Sequence, residues 1–175
     1  MRPLSSGRLP AQSLNLLCFL GLAVIGFAVP QLETVDRHIV IPFTKGLAAL
    51  CAAAIQLLGG AATAHGQVLS LGAGCGSITV ASDCSAIEVS ALLAATILAY
   101  PAPWRLRLLG CLGGVVLVQA LNMVRIVSLL YLNCGSLRWY NFFHLYLWHV
   151  LLILGVVLFF LGWIRWQTQM RAVDR

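Results

Sequence analysis

The stretch LLGCLGGVVLVQALNMVRIVSLLYL, residues 108–132, decides the fold, because it is an apolar run long enough to cross a membrane and yet it contains an arginine, Arg125. A membrane-spanning helix needs about 17 to 25 mainly apolar residues. The rest of the 175-residue chain agrees, since 61% of its residues are hydrophobic and 9% are charged, whereas a soluble domain has about 25% charged residues. We therefore expect a single integral membrane domain with an all-α fold, a polytopic helix bundle.

Apolar runs and prolines along the chain predict its topology. We expect four spanning helices at 14–29, 85–100, 108–132 and 142–164, one short interfacial or re-entrant helix at 46–58, and an outside loop at 60–83. Pro101 and Pro103 end the second span, because proline cannot continue a helix. Within the outside loop, residues 66–82 contain two short alternating runs around glycines, which are typical either of a small β-hairpin or of a plain connecting loop.

The distribution of basic residues orients this bundle. Five arginines lie in the connection after the second span and in the C-terminal tail: Arg105, Arg107, Arg165, Arg171 and Arg175. The loop 60–83 has no lysine or arginine, so the positive-inside rule places the arginines in the cytoplasm and the loop outside. The net charge of +6 fits this arrangement, and we expect lipid contacts and no nucleic-acid partner. Arg2 and Arg8 precede an apolar stretch that is either a retained helix or a cleavable signal peptide.

Three chemically capable side chains converge on the predicted outer face. Cys84 lies at the beginning of the second span, Arg125 lies seven residues before the outer end of the third, and His144 begins the last. Seven helical residues rise by about 10 Å. A thiol, an imidazole and a guanidinium supply the nucleophile, the proton carrier and the cation of a cysteine acyl-transfer site. An arginine inside a span costs about 2.5 to 3.5 kcal/mol on insertion scales, which favours a functional role for Arg125.

Asn122 and Glu88 are the expected supporting residues. Asn122 lies one helical turn before Arg125 and is placed to hydrogen-bond in the same cavity. Glu88 is four residues after Cys84 and therefore on the same helix face. We expect Glu88 to pair with Arg125, either as a structural ion pair or to direct the guanidinium toward the sulfur.

Other residues near these positions have a structural interpretation. In an α-helix, His149 points about 140° away from His144, and we interpret it as a packed helix residue. We assign the surrounding aromatic residues to the membrane interface; they are Trp139, Tyr140, Phe142, Phe143, Tyr146 and Trp148. Cys18, Cys51 and Cys111, in apolar helices, are expected to pack as small hydrophobic residues.

Three motifs resemble those of a known family. The segments CSAIEVSALLAATILAYP (84–101), LNMVRIVSLLYL (121–132) and FFHLYLWHVLLILGVVLFFLGWIRW (142–166) resemble the Cys, Arg and His motifs of the exosortase and archaeosortase family, and most closely those of exosortase H. The resemblance covers about residues 66–166. Many members of the family have a glycine where Ala86 stands, in a CSG triplet, so the difference keeps a small residue.

The resemblance implies a bacterial membrane enzyme, a cysteine protease or transpeptidase. Its substrates would be exported proteins with a C-terminal sorting signal, made of a short motif, a hydrophobic helix and a basic tail. By residue-by-residue transfer, Cys84 would attack the scissile carbonyl, Arg125 would support the thiolate or the oxyanion, and His144 would carry the proton. An amine acceptor or water would then take the acyl group. The expected location is the inner membrane, with the site on the periplasmic face and with no cofactor or metal.

Two other functional classes stay open. A membrane thiol oxidoreductase is one, because Cys75, Cys84 and Cys134 all fall on the predicted oxidising side, although no C-x-x-C motif is present. A non-catalytic scaffold or small transporter is the other, with Arg125 and Glu88 lining a path. A haem protein fits less well, since no two helices each offer a well-placed histidine.

Overall fold

The structure, a computed structural model, describes residues 11–72, 74 and 76–173. Arg2, Arg8, Cys75 and Arg175 lie outside the described residues, so the signal-peptide alternative and a Cys75–Cys84 pair are not addressed by it. The described helices are α1 (Ala11–Ala28), α2 (Glu33–Leu57), α3 (Ile87–Ala99), α4 (Trp104–Gly135) and α5, which joins Leu137–Phe142, Phe143–Leu147 and Trp148–Val173. The predicted all-α membrane bundle is confirmed, and a small sheet accompanies it.

The lengths of the helices differ from the predicted spans. Within the described residues, three helices are long and apolar enough to cross a membrane: Glu33–Leu57, Trp104–Gly135 and Leu137–Met170. The predicted spans 14–29 and 85–100 correspond to the shorter apolar helices Asn15–Gln31 and Ile87–Ala99. Helix α3 has 13 residues and rises by about 20 Å, less than the roughly 30 Å of a hydrocarbon core.

Helix α2 differs most from its predicted length. The expected short helix at 46–58 is in fact the C-terminal half of a 25-residue helix. Pro42, which has no N–H to donate, does not end it, because a wide π-turn at Asp36–Val40 precedes the proline and the N–H of Ile41 bonds the carbonyl of Asp36. The chain therefore stays helical through the proline.

The outside loop folds into a three-stranded antiparallel sheet. Strands β1 (Ala62–His65), β2 (Val68–Leu71) and β3 (Ser77–Thr79) pair in sequence order, so the predicted hairpin is confirmed as β2–β3 and β1 extends it. Gly66, at φ +62°, closes the two-residue turn between β1 and β2, a position where residues with a Cβ are strained. The sheet packs against α2 and α4.

Two apolar cores meet at the segment that contains Cys84. The first joins α2, the sheet and α4, with Ile55, Leu69 and Leu130 among its buried members, and Cys84 packs against it. The second joins α3, α4 and α5, and it includes Ala86. Since residues only two apart belong to different cores, packing from both sides fixes the chain between β3 and α3.

Candidate active site

Cys84 ends a 3-10 turn, Ser82–Cys84, that lies between β3 and α3. Its N–H donates a 2.9 Å hydrogen bond to the carbonyl oxygen of Ala81. The thiol is free and half-buried. Burial raises the pKa of Cys84; the charge of Arg125 lowers this pKa and the charge of Asp83 raises it, with burial the largest effect. Burial therefore favours the neutral thiol of Cys84 over the thiolate.

Helix α4 holds this turn through two side-chain amides. Asn122 donates from Nδ2 to the carbonyl oxygen of Cys84 at 2.7 Å. One turn earlier, Gln119 donates from Nε2 to the carbonyl oxygen of Ser85 at 3.1 Å. The sequence analysis placed Asn122 near the site but missed Gln119, although polar residues at 119, 122 and 125, three apart in an apolar span, mark one helix face.

Arg125 is buried on that same face of α4, with 5% of its surface exposed. Its Nε has no hydrogen-bond partner among the described residues. Its charge acts on Cys84, Tyr140 and His144, so the structure gathers the predicted thiol, guanidinium and imidazole at one site. A buried donor without a partner is costly, about 1 to 3 kcal/mol, and marks a position where a ligand atom can bind.

Glu88 does not form the expected ion pair with Arg125. In the part of the chain that the structure describes, the salt bridge within 4.0 Å is Arg37–Glu33, and Glu88 accepts a 2.7 Å hydrogen bond from Nε2 of Gln31 instead. Glu88 faces a cavity of about 350 Å³ that is also lined by acidic residues of α2 and of the turn. The prediction failed because Gln31, in the 3-10 turn Val29–Gln31 that follows α1, supplies a polar partner that lies far away in sequence.

His144 is half-buried, and its Nδ1 has no hydrogen-bond partner among the described residues. The ring of Tyr140 stacks on the imidazole, with 5.6 Å between ring centroids and 14° between planes. Tyr140 is also within electrostatic range of Cys84. Trp148 is buried and donates from Nε1 to Oγ of Ser128 at 3.0 Å, so its assignment to the membrane interface is wrong, whereas that of Tyr140 stays a prediction.

A π-turn changes the direction of His149. At Phe143–Leu147 the N–H of Trp148 bonds the carbonyl of Phe143, and this i→i+5 bond adds one residue to the turn. His149 therefore lies about one helical turn after His144 and on nearly the same face of the helix, whereas a regular α-helix would place it 140° around the axis. The prediction that it packs away from the site is wrong, because His149 is exposed and lines a cavity together with Arg125.

This cavity has a volume of about 240 Å³ and lies between α3, α4 and α5. Residues on both sides of Cys84 line it, among them Ser82, Ser85 and Ala86. Its remaining wall combines apolar side chains of α3 and α5, such as Ile87 and Leu152, with the carboxylates of Asp83 and Glu88. The cavity can take a polar group at Arg125 beside an apolar one. Within the described residues, no three His, Cys, Asp or Glu side chains cluster as a metal site would require.

Comparison with known proteins adds one finding. A family described as transmembrane exosortase, of the EpsH type, matches the chain over residues 9–161. The matched region is most of the chain and includes Cys84, Arg125 and His144. A search of curated proteins and a search of solved structures each found no match.

Proposed function

Because the chain belongs to the transmembrane exosortase family, we propose that it is a membrane-embedded cysteine peptidase or transpeptidase that removes the C-terminal sorting signal of exported proteins. One observation supports this most: Nδ2 of Asn122 donates a 2.7 Å hydrogen bond to the carbonyl oxygen of Cys84. Asn122 lies one helical turn before the buried Arg125. The bond fixes a thiol beside a guanidinium that has an unoccupied donor. Acyl transfer uses this combination of nucleophile and cation.

The first half of the proposed reaction forms an acyl-enzyme. His144 takes the proton of Cys84 as the sulfur attacks the scissile carbonyl carbon, because burial keeps the pKa of the thiol high. An S–C bond forms, and the carbonyl electron pair moves to the oxygen. When the carbonyl re-forms, the C–N bond breaks and His144 returns the proton to the leaving amine.

The second half releases the product. A neutral amine, or water, attacks the thioester carbon and loses a proton to the imidazole. The C–S bond breaks, and the sulfur of Cys84 recovers that proton. Transfer to an amine gives a new amide, whereas transfer to water gives a free carboxylate.

The proposed substrate reaches this site along the membrane. Its own hydrophobic helix would lie in the bilayer. The peptide bond next to that helix would then arrive at the N-terminal end of α3, where Cys84 lies between β3 and α3. The arginine distribution supports a site on the outer face of the inner membrane. There it would meet exported proteins after their translocation.

Replacement of the nucleophile tests the proposal. We expect Cys84→Ser to abolish processing of a co-expressed exported protein that ends in an apolar helix and a basic tail, with full-length substrate accumulating on immunoblots. Cys111→Ser, in the apolar part of α4, is the matched control and should process normally. Normal processing by Cys84→Ser, at equal membrane levels of the two variants, would overturn the proposed function.

A further inference from the structure

The backbone directly after Cys84 has a conformation that binds anions. Ser85 is right-handed, with φ −77° and ψ −23°, and Ala86 is left-handed, with φ 53° and ψ 21°. A right-handed residue followed by a left-handed one turns successive N–H groups toward one concave side, an arrangement called a nest. The chain thus places a concave set of donors next to its nucleophile.

One of these donors is unused. The N–H of Ser85 bonds the carbonyl of Ser82 at 3.0 Å, and the N–H of Ile87 bonds Oγ of Ser85 at 3.2 Å. The N–H of Ala86, which lies between them, has no hydrogen-bond partner among the described residues, although Ala86 is only 6% exposed. Nearly all buried backbone N–H groups are paired in folded proteins, so this one points to an absent acceptor.

Helix α3 adds a favourable field at the same point. Ala86 is its N-cap, and no side chain caps the helix there. The N-terminus of a helix carries a partial positive charge from its aligned peptide dipoles. An oxygen that becomes negative beside Ala86 is therefore stabilised by the helix as well as by the N–H.

Arg125 supplies a second and independent donor. It comes from a different helix, it is 95% buried, and its Nε is unpaired among the described residues. It lines the same 240 Å³ cavity as Ser85 and Ala86. Two residues from separate elements, each with an unpaired donor, thus line one cavity, which is also lined by the neighbours of Cys84 in sequence, Asp83 and Ser85.

We propose that the N–H of Ala86 and the guanidinium of Arg125 form the oxyanion hole of this enzyme, an inference that rests on the proposed acyl-transfer function. As the S–C bond forms at Cys84, the carbonyl electron pair moves to oxygen and both donors bind that oxygen. As the carbonyl re-forms, the leaving group departs with its proton and the donors are released. The inference assigns Arg125 to the oxyanion and not to the thiolate.

An amide-to-ester exchange at residue 86 tests this assignment. Incorporating L-lactic acid in place of Ala86 removes the N–H and keeps the methyl group and the chain geometry. We expect kcat to fall by about 100- to 1,000-fold, the usual effect of removing one oxyanion-hole donor, with KM little changed because the bond is made in the transition state. The same exchange at Ala94, inside α3, is the control; it removes a helical hydrogen bond and should leave kcat near the wild-type value.

A peptide aldehyde gives a second readout. The aldehyde adds to the thiol of Cys84, and the oxygen of the resulting hemithioacetal occupies the oxyanion position. The ester at residue 86 should weaken aldehyde binding by about the same factor as kcat/KM, while binding of uncleaved substrate to Cys84→Ala is unaffected by it. An unchanged kcat and unchanged aldehyde affinity in the Ala86 ester would overturn the oxyanion assignment. Processing by Cys84→Ser would instead overturn the proposed function, so the two failures are distinguishable.

Discussion

The side-chain amide of Asn122 donates a 2.7 Å hydrogen bond to the carbonyl oxygen of Cys84. Asn122 is completely buried, and its own Oδ1 has no partner among the described residues, so the donation to Cys84 is its one side-chain hydrogen bond there. Because Arg125 follows on the same helix face, this bond sets the position of Cys84 relative to the guanidinium.

Asn122→Ala should therefore impair catalysis more than folding. We expect processing to slow by at least 10-fold because the turn loses its anchor, and the free energy of unfolding to fall by about 1 to 3 kcal/mol. Rates of substrate cleavage and thermal unfolding in detergent measure the two effects. Asn133→Ala is the matched control, since Asn133 makes the same type of bond to Ser77 in the sheet, at 3.1 Å. Equal activity losses in both variants would contradict a specific role for Asn122.

The stacked pair of Tyr140 and His144 predicts that the ring of Tyr140 matters more than its hydroxyl. Tyr140→Phe keeps the aromatic face and should retain most activity, whereas Tyr140→Leu should lower kcat by about 10-fold, since aromatic pairs contribute about 0.5 to 1.5 kcal/mol to their geometry. Tyr146→Leu, an exposed neighbour, should be neutral in the same kinetic assay. A Phe variant as impaired as the Leu variant would assign the effect to the hydroxyl.

The left-handed conformation of Ala86 predicts a stabilising substitution. Ala86→Gly should raise the free energy of unfolding by up to about 1 kcal/mol. A Cβ in the left-handed region costs about 1 to 2 kcal/mol, and removing it stabilises the folded state. Part of this gain is offset because glycine has more conformational entropy in the unfolded chain. Urea or thermal unfolding in detergent measures the change. Ala94→Gly, inside α3, should have the opposite sign. Destabilisation by both would show that the conformation at residue 86 is not strained.

The charges around Cys84 predict how its alkylation depends on pH. Burial raises the pKa of the thiol, so iodoacetamide labelling should be slow at neutral pH and should still be increasing above about pH 8.5, the ordinary value for cysteine. Arg125 lowers this pKa and Asp83 raises it. Arg125→Gln should therefore slow labelling at a given pH, and Asp83→Asn should accelerate it. Labelling that is fast and constant below pH 7 would show that the thiolate is the resting form.

The distribution of arginines predicts on which side of the membrane Cys84 lies. A membrane-impermeant maleimide, applied to cells with a permeabilised outer membrane, should label Cys84 in a variant that lacks the other five of the six cysteines. A cysteine introduced at Arg105 should be labelled only after the inner membrane is opened. The reverse pattern would invert the topology and exclude exported proteins as substrates.

Much of the architecture could be predicted from the sequence because the bilayer imposes simple rules on it. Apolar runs with few charges predicted a helical membrane bundle, and the family suggested by the Cys, Arg and His motifs is confirmed. The costly burial of Arg125 also led to Asn122 on the same face of α4, although Gln119 was missed. These features depend on composition and on helical spacing, which a single sequence displays.

The features that could not be predicted depend on individual hydrogen bonds. Two π-turns, at Asp36–Val40 and Phe143–Leu147, carried α2 past Pro42 and turned His149 toward Arg125. Neither leaves a compositional signature. Glu88 was assigned to the wrong partner for a related reason, since its hydrogen bond to Gln31 joins residues from helices whose packing is not encoded in local spacing.

The shortness of α3 has a consequence for the membrane itself. Its 13 residues leave roughly 10 Å of a typical hydrocarbon core unmatched, while α4 and α5 are long enough to cross it. Lipids adapt to such hydrophobic mismatch by thinning locally. The bilayer beside α3 is therefore expected to be compressed, so that a single-span helix entering this zone has too many apolar residues for the thickness available. Under the proposed function, the excess end of a substrate helix would emerge into water next to Cys84, where its peptide bonds would become accessible.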